Sequence, residues 1–261
     1  MSRSESSDKP LPICADCRVL DWRAPFGWLR RGWADLQRAP RTSLSYGLIM
    51  VALSYAITAA AWYFGNLGLY LGVLSGFVFI GPVLVMTLYA VSARLAAGAE
   101  VSIRRSLQDA GRTLSDAAIF ALILLVVFLV WARAATMIHV FFPMGGEADW
   151  RAWATFLGIG SAVGAMFCAF IFMASAFSLP MMLDRRADTV TAVITSVNAT
   201  LRNKPTMAVW ALCIGAFVTV GVLTGYIAFA VLLPWIGHAT WHAYQETIDA
   251  SAWPRRHLTS G

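Results

Sequence analysis

Apolar residues along this chain gather into stretches of about 20, the length a helix needs to cross a ~30 Å hydrocarbon core. Six stand out: Ser43–Phe64, Leu67–Ser92, Ala117–Thr136, Trp153–Leu183, Thr206–Leu223 and Gly225–Tyr244. Each pair is preceded by a shorter segment whose apolar residues fall three and four apart. In Phe26–Leu36, Phe26, Leu29, Trp33 and Leu36 share one helical face and Arg31, Asp35 and Arg38 another. Ile103–Leu114 sets Ile103, Leu107, Ala110 and Leu114 against Arg104, Arg105, Gln108 and Arg112. Val190–Leu201 sets Val190, Ile194, Val197 and Leu201 against Thr191, Thr195, Asn198 and Arg202. Such spacing marks a helix half sunk in a surface. The simpler alternative, cytoplasmic loops that happen to be helical, gives no reason for the recurrence.

The pattern predicts an all-α, polytopic membrane protein with six transmembrane helices in three tandem units. Each unit is an amphipathic surface helix followed by a hairpin whose second helix is broken by a proline: Pro82, Pro180 and Pro234. The units cover roughly 25–92, 101–183 and 189–245, within one membrane domain over 22–245. Residues 1–21 read as a flexible cytoplasmic tail without the apolar core of a signal peptide, and 246–261 as a cytoplasmic C-terminal tail.

Composition agrees with the pattern. Only 13% of the 261 residues are charged and 59% are hydrophobic, where a soluble domain carries about a quarter charged. Mean hydropathy is +0.65. All but two of the 20 lysines and arginines fall on one side of the six-span arrangement; Arg133 and Arg151 are the exceptions. The bias puts both termini in the cytoplasm. With no separate basic domain, the net charge of +6 points to anionic lipid headgroups at the surface helices and not to nucleic acid.

A proline inside a span removes a backbone donor. All three lie in the cytoplasmic half, where they read as kinks that tilt each hairpin; the alternative is a polar cavity open to the cytoplasm. Gly68, Gly72 and Gly76, and likewise Gly160 and Gly164, recur every four residues. They read as grooves for close packing of a neighbouring helix within the molecule, in preference to a dimer contact.

Candidate chemistry is sparse. The densest polar cluster combines Asp184 and Arg185 with His238, Trp241, His242 and Tyr244. His238 and His242 lie one turn apart, a spacing two ligands of a metal or a haem would share. Without a second ligand pair, the plainer reading is histidines hydrogen-bonded to neighbouring helices or headgroups, Trp241 and Tyr244 being interfacial anchors. No metal, haem or other cofactor is therefore expected. Cys14 and Cys17 form an isolated pair, short of a zinc site. No phosphate-binding glycine loop, paired intramembrane carboxylates or activated nucleophile occurs, so a non-enzymatic role is expected.

Several runs carry a resemblance: Leu179-Pro180-Met181-Met182-Leu183-Asp184-Arg185, the closing Leu233-Pro234-Trp235-Ile236-Gly237-His238-Ala239-Thr240-Trp241-His242-Ala243-Tyr244, Gly32-Trp33-Ala34-Asp35, Gly81-Pro82, and Thr195-Ser196 through Asn203 and Trp210. From about Trp28 to Tyr244 the chain resembles a bacterial family of integral membrane proteins, domain of unknown function 2189. The resemblance implies the bacterial inner membrane. The polar tail with its cysteines is not part of that pattern. Some members of the family are labelled cytochrome c oxidase subunit I. A haem–copper oxidase core needs more histidines, for its haems and copper ion, than the four here: His139, His238, His242 and His257. The expected role is a scaffold, accessory subunit or assembly partner of another membrane complex, respiratory among the options. A small transporter or channel lined by Asp184, His238 and His242 is the alternative, and a metal or haem carrier the third reading.

Overall fold

The computed structural model describes residues 12–65, 84–141 and 150–258. Pro82, Gly68, Gly72 and Gly76, with most of the expected second span, lie outside the described residues. The chain runs α1 (Ala24–Arg38), α2 (Pro40–Phe64), α3 (Leu84–Ala96), α4 (Ile103–Gly111), α5 (Leu114–Phe141), α6 (Trp150–Ser175), α7 (Ser178–Asp184), α8 (Thr189–Arg202), α9 (Lys204–Leu223) and α10 (Phe229–Thr247). A short pair of strands, β1 (Asp16–Cys17) and β2 (Ile248–Asp249), joins antiparallel.

Amphipathic helix and apolar helix follow each other with almost no linker. Only Ala39 separates α1 from α2, and Asn203 separates α8 from α9. Pro40 and Pro205 start the second member of each pair, where a missing N–H costs nothing. Ser102 caps α4 by accepting from the Arg105 N–H, and Asp188 caps α8 by accepting from Thr191.

Among the described residues, four segments are long and apolar enough to cross a membrane: Pro40–Ala60, Leu114–Ala134, Trp153–Asp184 and Lys204–Leu223. Of the other two expected spans, the second lies mostly outside the described residues and ends in the apolar helix Leu84–Ala96; the sixth, α10, is diluted by Pro234, His238, His242 and Gln245. None of the apolar window in Trp153–Asp184 is buried among the described residues. The buried core lies instead where the chain ends meet. There Trp28 stands edge-on to Trp210 at 5.5 Å, beside Met181, Met182, Phe177 and Tyr244.

The surface helices expose several of their apolar residues and bury several polar ones. On α8, Val190, Ile194 and Leu201 are exposed while Thr191, Thr195, Ser196 and Thr200 are buried. On α4, Ile103 and Leu107 are exposed while Ser106 and Asp109 are buried. Asp109 pairs with Arg94 at 2.7 Å, both nearly inaccessible; Arg94 therefore sits in the interior and not, as its place in a connection suggested, at a headgroup surface. α1 departs from its expected division, because Asp35 is buried beside α10.

The prolines also correct the sequence reading. The interruption in the fourth span falls at Ala176–Phe177, one turn before Pro180, because a proline clashes with and deprives the carbonyl four residues back. Pro234 does not break its helix; it lies inside a continuous α10. Pro234 offers no N–H to the Ala230 carbonyl. Against that carbonyl sits Gly47 of α2, so close that a Cβ would stand 1.9 Å from the oxygen. Gly32 meets the Ala239 backbone in the same manner, at 2.6 Å from N. Gly237 against the Leu88 side chain and Gly221 against the Phe229 ring are close approaches of a second kind, to side chains. Around Gly160 and Gly164 no described atom comes within 4 Å of a Cβ position, so the groove they form receives no described helix.

The segment from Pro12 to Asp21 is not a loose tail. β1 pairs with β2, Leu20 N donates to Asn203 Oδ1 at 2.8 Å, and Ala15 N donates to Thr195 Oγ1 at 3.1 Å. The inward polar face of α8 thus satisfies the backbone of the N-terminal segment. The C-terminal segment is likewise packed, with Trp253 buried.

Candidate functional site

Five side chains from four helices form one buried hydrogen-bonded chain. Ser43 Oγ lies 2.8 Å from His238 Nε2, and His238 Nδ1 lies 2.8 Å from Ser92 Oγ. Ser92 Oγ donates to Asp35 Oδ2 at 2.8 Å, and the same oxygen lies 2.8 Å from His242 Nε2. The close backbone contacts make this possible. Gly32 lets α1 reach α10, which brings Asp35 (one turn on) to His242. Gly237 lets α3 approach, which brings Ser92 to His238.

Counting protons fixes the directions. Ser92 has one hydroxyl proton and gives it to Asp35, so it accepts from His238 Nδ1–H. In the neutral imidazole, His238 Nε2 carries the lone pair and accepts from Ser43, so both ring nitrogens are engaged. Burial raises the Asp35 carboxyl, but the hydrogen bonds from His242 and Ser92 outweigh it and hold the group below the usual carboxylate range.

The other expected site residues form a separate set. Asp184 Oδ2 accepts from Tyr244 Oη at 2.8 Å and from Arg185 Nε at 2.9 Å. Arg185 continues to the Trp253 carbonyl at 3.0 Å. Arg256 ties the C-terminal segment down through the Arg185 carbonyl at 3.0 Å and Asp116 at 2.7 Å. Trp241 and Tyr244, expected as interfacial anchors, are buried and stack on one another at 5.6 Å. The cluster read as one therefore divides: His238 and His242 with Asp35, and Asp184, Arg185 and Tyr244 with the C-terminal segment. A cavity of about 600 Å³ touches both sets through His242 and Asp184. Neither Pro180 nor Pro234 lines it.

Cys14 and Cys17 both face the Asn198 amide, at 3.3 and 3.6 Å. Burial, reinforced by neighbouring Cys14, pushes the Cys17 thiol up to about 11. Among the described residues no three His, Cys, Asp or Glu side chains are grouped to hold a metal ion.

Asp35, Ser43 and Ser92 were absent from the sequence candidates. The available signal was Gly32 on the face of Asp35, three residues away, within a segment already singled out.

Comparison with known proteins adds a family. Residues 69–184 match the family model DUF2189, predicted integral membrane protein. The DUF2189 match ends at Asp184, so it takes in the Leu179–Asp184 run but not the closing histidine segment. No curated protein and no solved structure matches the chain.

Proposed function

We propose that this protein is a non-enzymatic component of the bacterial inner membrane, a scaffold or accessory subunit that holds another membrane protein. In this reading six helices cross the bilayer as three hairpin units, both termini are cytoplasmic, and α1, α4 and α8 lie against anionic headgroups. The observation that carries it is the inversion of polarity. The polar groups of α8, α10 and α1 are consumed in hydrogen bonds within the molecule, whereas the apolar faces of α4, α6 and α8 are turned outward. A molecule arranged in this way offers its described apolar faces as contact surface.

Affinity purification of the full chain from membranes in mild detergent tests the proposal. A reproducible stoichiometric membrane-protein partner supports it. A monomer with no partner in detergent and after chemical crosslinking in intact membranes counts against it. A small transporter is the second reading, favoured by the cavity bordered by Asp184 and His242. The sealing of His238 between Ser43 and Ser92 weighs against it. Solute uptake by reconstituted vesicles, lost on His242→Ala, would establish the transporter in its place.

A further inference from the structure

The cavity of about 600 Å³ has a division of character that the scaffold reading does not use. One wall is apolar, made by Ala93 and Ala96 from the end of α3, Leu183 from α7, and Trp241 from α10. The C-terminal segment contributes Arg255, Arg256 and His257 to the lining. These basic side chains differ in their commitments. Arg256 is taken by Asp116 and two backbone carbonyls. Arg255 is exposed, its backbone is bridged to Arg185, and its side chain has no hydrogen-bond or ion-pair partner among the described residues. His257 is held through its carbonyl, which accepts from Arg112 at 2.8 Å, and so keeps its ring available. The one carboxylate at the cavity, Asp184, is balanced by Arg185 at 2.9 Å and accepts from Tyr244. The result is surplus positive charge facing a hydrocarbon wall, in a volume of small-ligand size.

We propose that this cavity binds a phosphate group attached to an apolar body, with Arg255 and His257 as its donors and the alanines of α3 with Trp241 against its carbon skeleton. Guanidinium suits phosphate because its N–H groups match two phosphate oxygens at once. A phospholipid of the adjoining leaflet supplies both parts of that chemistry; free phosphate supplies the anion alone. The inference stands apart from the scaffold reading and does not depend on it.

Native mass spectrometry of the full chain in detergent tests it, with dioctanoyl phosphatidylglycerol, dioctanoyl phosphatidylcholine and inorganic phosphate as probes. One phosphatidylglycerol should be retained with at least about fivefold preference over phosphatidylcholine. The Arg255→Ala/His257→Ala variant should lose it by about tenfold, as expected for charge-assisted hydrogen bonds. Arg255→Gln, which keeps a polar side chain without the charge, should lose most of the preference, and Arg30→Ala, an exposed arginine on α1, should lose none. Tighter lipid binding than inorganic phosphate supports the lipid as the ligand; inorganic phosphate that binds as tightly as the lipid overturns the apolar half of the proposal and leaves an anion site. Equal binding of the two lipids, or wild-type binding by both Arg255 variants when they unfold at the wild-type temperature, overturns the proposal.

Discussion

Ser196 takes the place of the helical partner of Phe177. Its Oγ accepts from the Phe177 N–H at 3.0 Å and donates to the Met173 carbonyl at 2.7 Å. In an uninterrupted helix those two backbone groups would bond each other. A hydroxyl from α8 is thereby inserted into the ladder of the α6–α7 segment, one turn before Pro180, and both freed groups stay satisfied in a buried setting. Ser196→Ala should cost about 1–3 kcal/mol of unfolding free energy, since it orphans a buried N–H. It should also accelerate hydrogen exchange at Phe177. Unchanged exchange there would mean that the inserted hydroxyl does not hold the break.

The glycine contacts separate by backbone geometry. Gly47→Ala would drive a methyl into the Ala230 carbonyl, and Gly32→Ala into the Ala239 backbone. Neither obstacle is a flexible side-chain end, so each variant should lose about 1–3 kcal/mol or more by overpacking. Gly160→Ala, with open space among the described residues, should stay within about 0.5 kcal/mol of wild type in detergent, as substitutions away from close contacts do. Thermal unfolding of the three variants side by side checks the order.

The Asp35 carboxyl is held below its ordinary value, burial being outweighed by the hydrogen bonds of His242 and Ser92. A depressed carboxylate stabilises the fold above its unfolded pKa of about 4. That contribution is lost as pH falls through the lower, folded value. Unfolding measured from about pH 7 downward should therefore show an acid limb below about pH 4, and Asp35→Asn should flatten that part of it. An identical acid limb in the variant would remove Asp35 from the account.

The two tail cysteines should react unequally. Cys17 is buried and its thiol pushed up to about 11, while Cys14 is partly exposed. In a Cys168→Ser/Cys213→Ser background at about pH 8, only about a thousandth of Cys17 is thiolate. A maleimide should label Cys14 in the folded protein and Cys17 only after denaturation. Equal labelling would show that the N-terminal segment is not docked on α8.

Much of the architecture was legible because it depends on local patterns. Long apolar runs mark α2, α5, α6 and α9, and spacings of three and four mark α4 and α8. What escaped depends on partners distant in the chain. Asp35 reads as a solvent-facing position on α1 until His242, 207 residues away, is brought beside it. Gly160 and Gly164 advertise a groove by their spacing, yet the backbone contacts fall at Gly32 and Gly47, whose importance lies in what faces them. Pro180 announces a break, but Ser196 as its cure belongs to another helix. The hydrophobic period of α8 is visible in sequence; that its threonine face would be the buried one, satisfying residues 15–20, is not.

The central claim is that α10, with its proline and two histidines, crosses the bilayer so that the chain ends share the cytoplasmic face. Single cysteines at Thr224, before α10, and at Ser251, after it, test this in a cysteine-free background, using a membrane-impermeant maleimide on intact cells. The account predicts labelling of Thr224→Cys from outside and of Ser251→Cys only after the membrane is permeabilised. Labelling of both positions from the same face would contradict it.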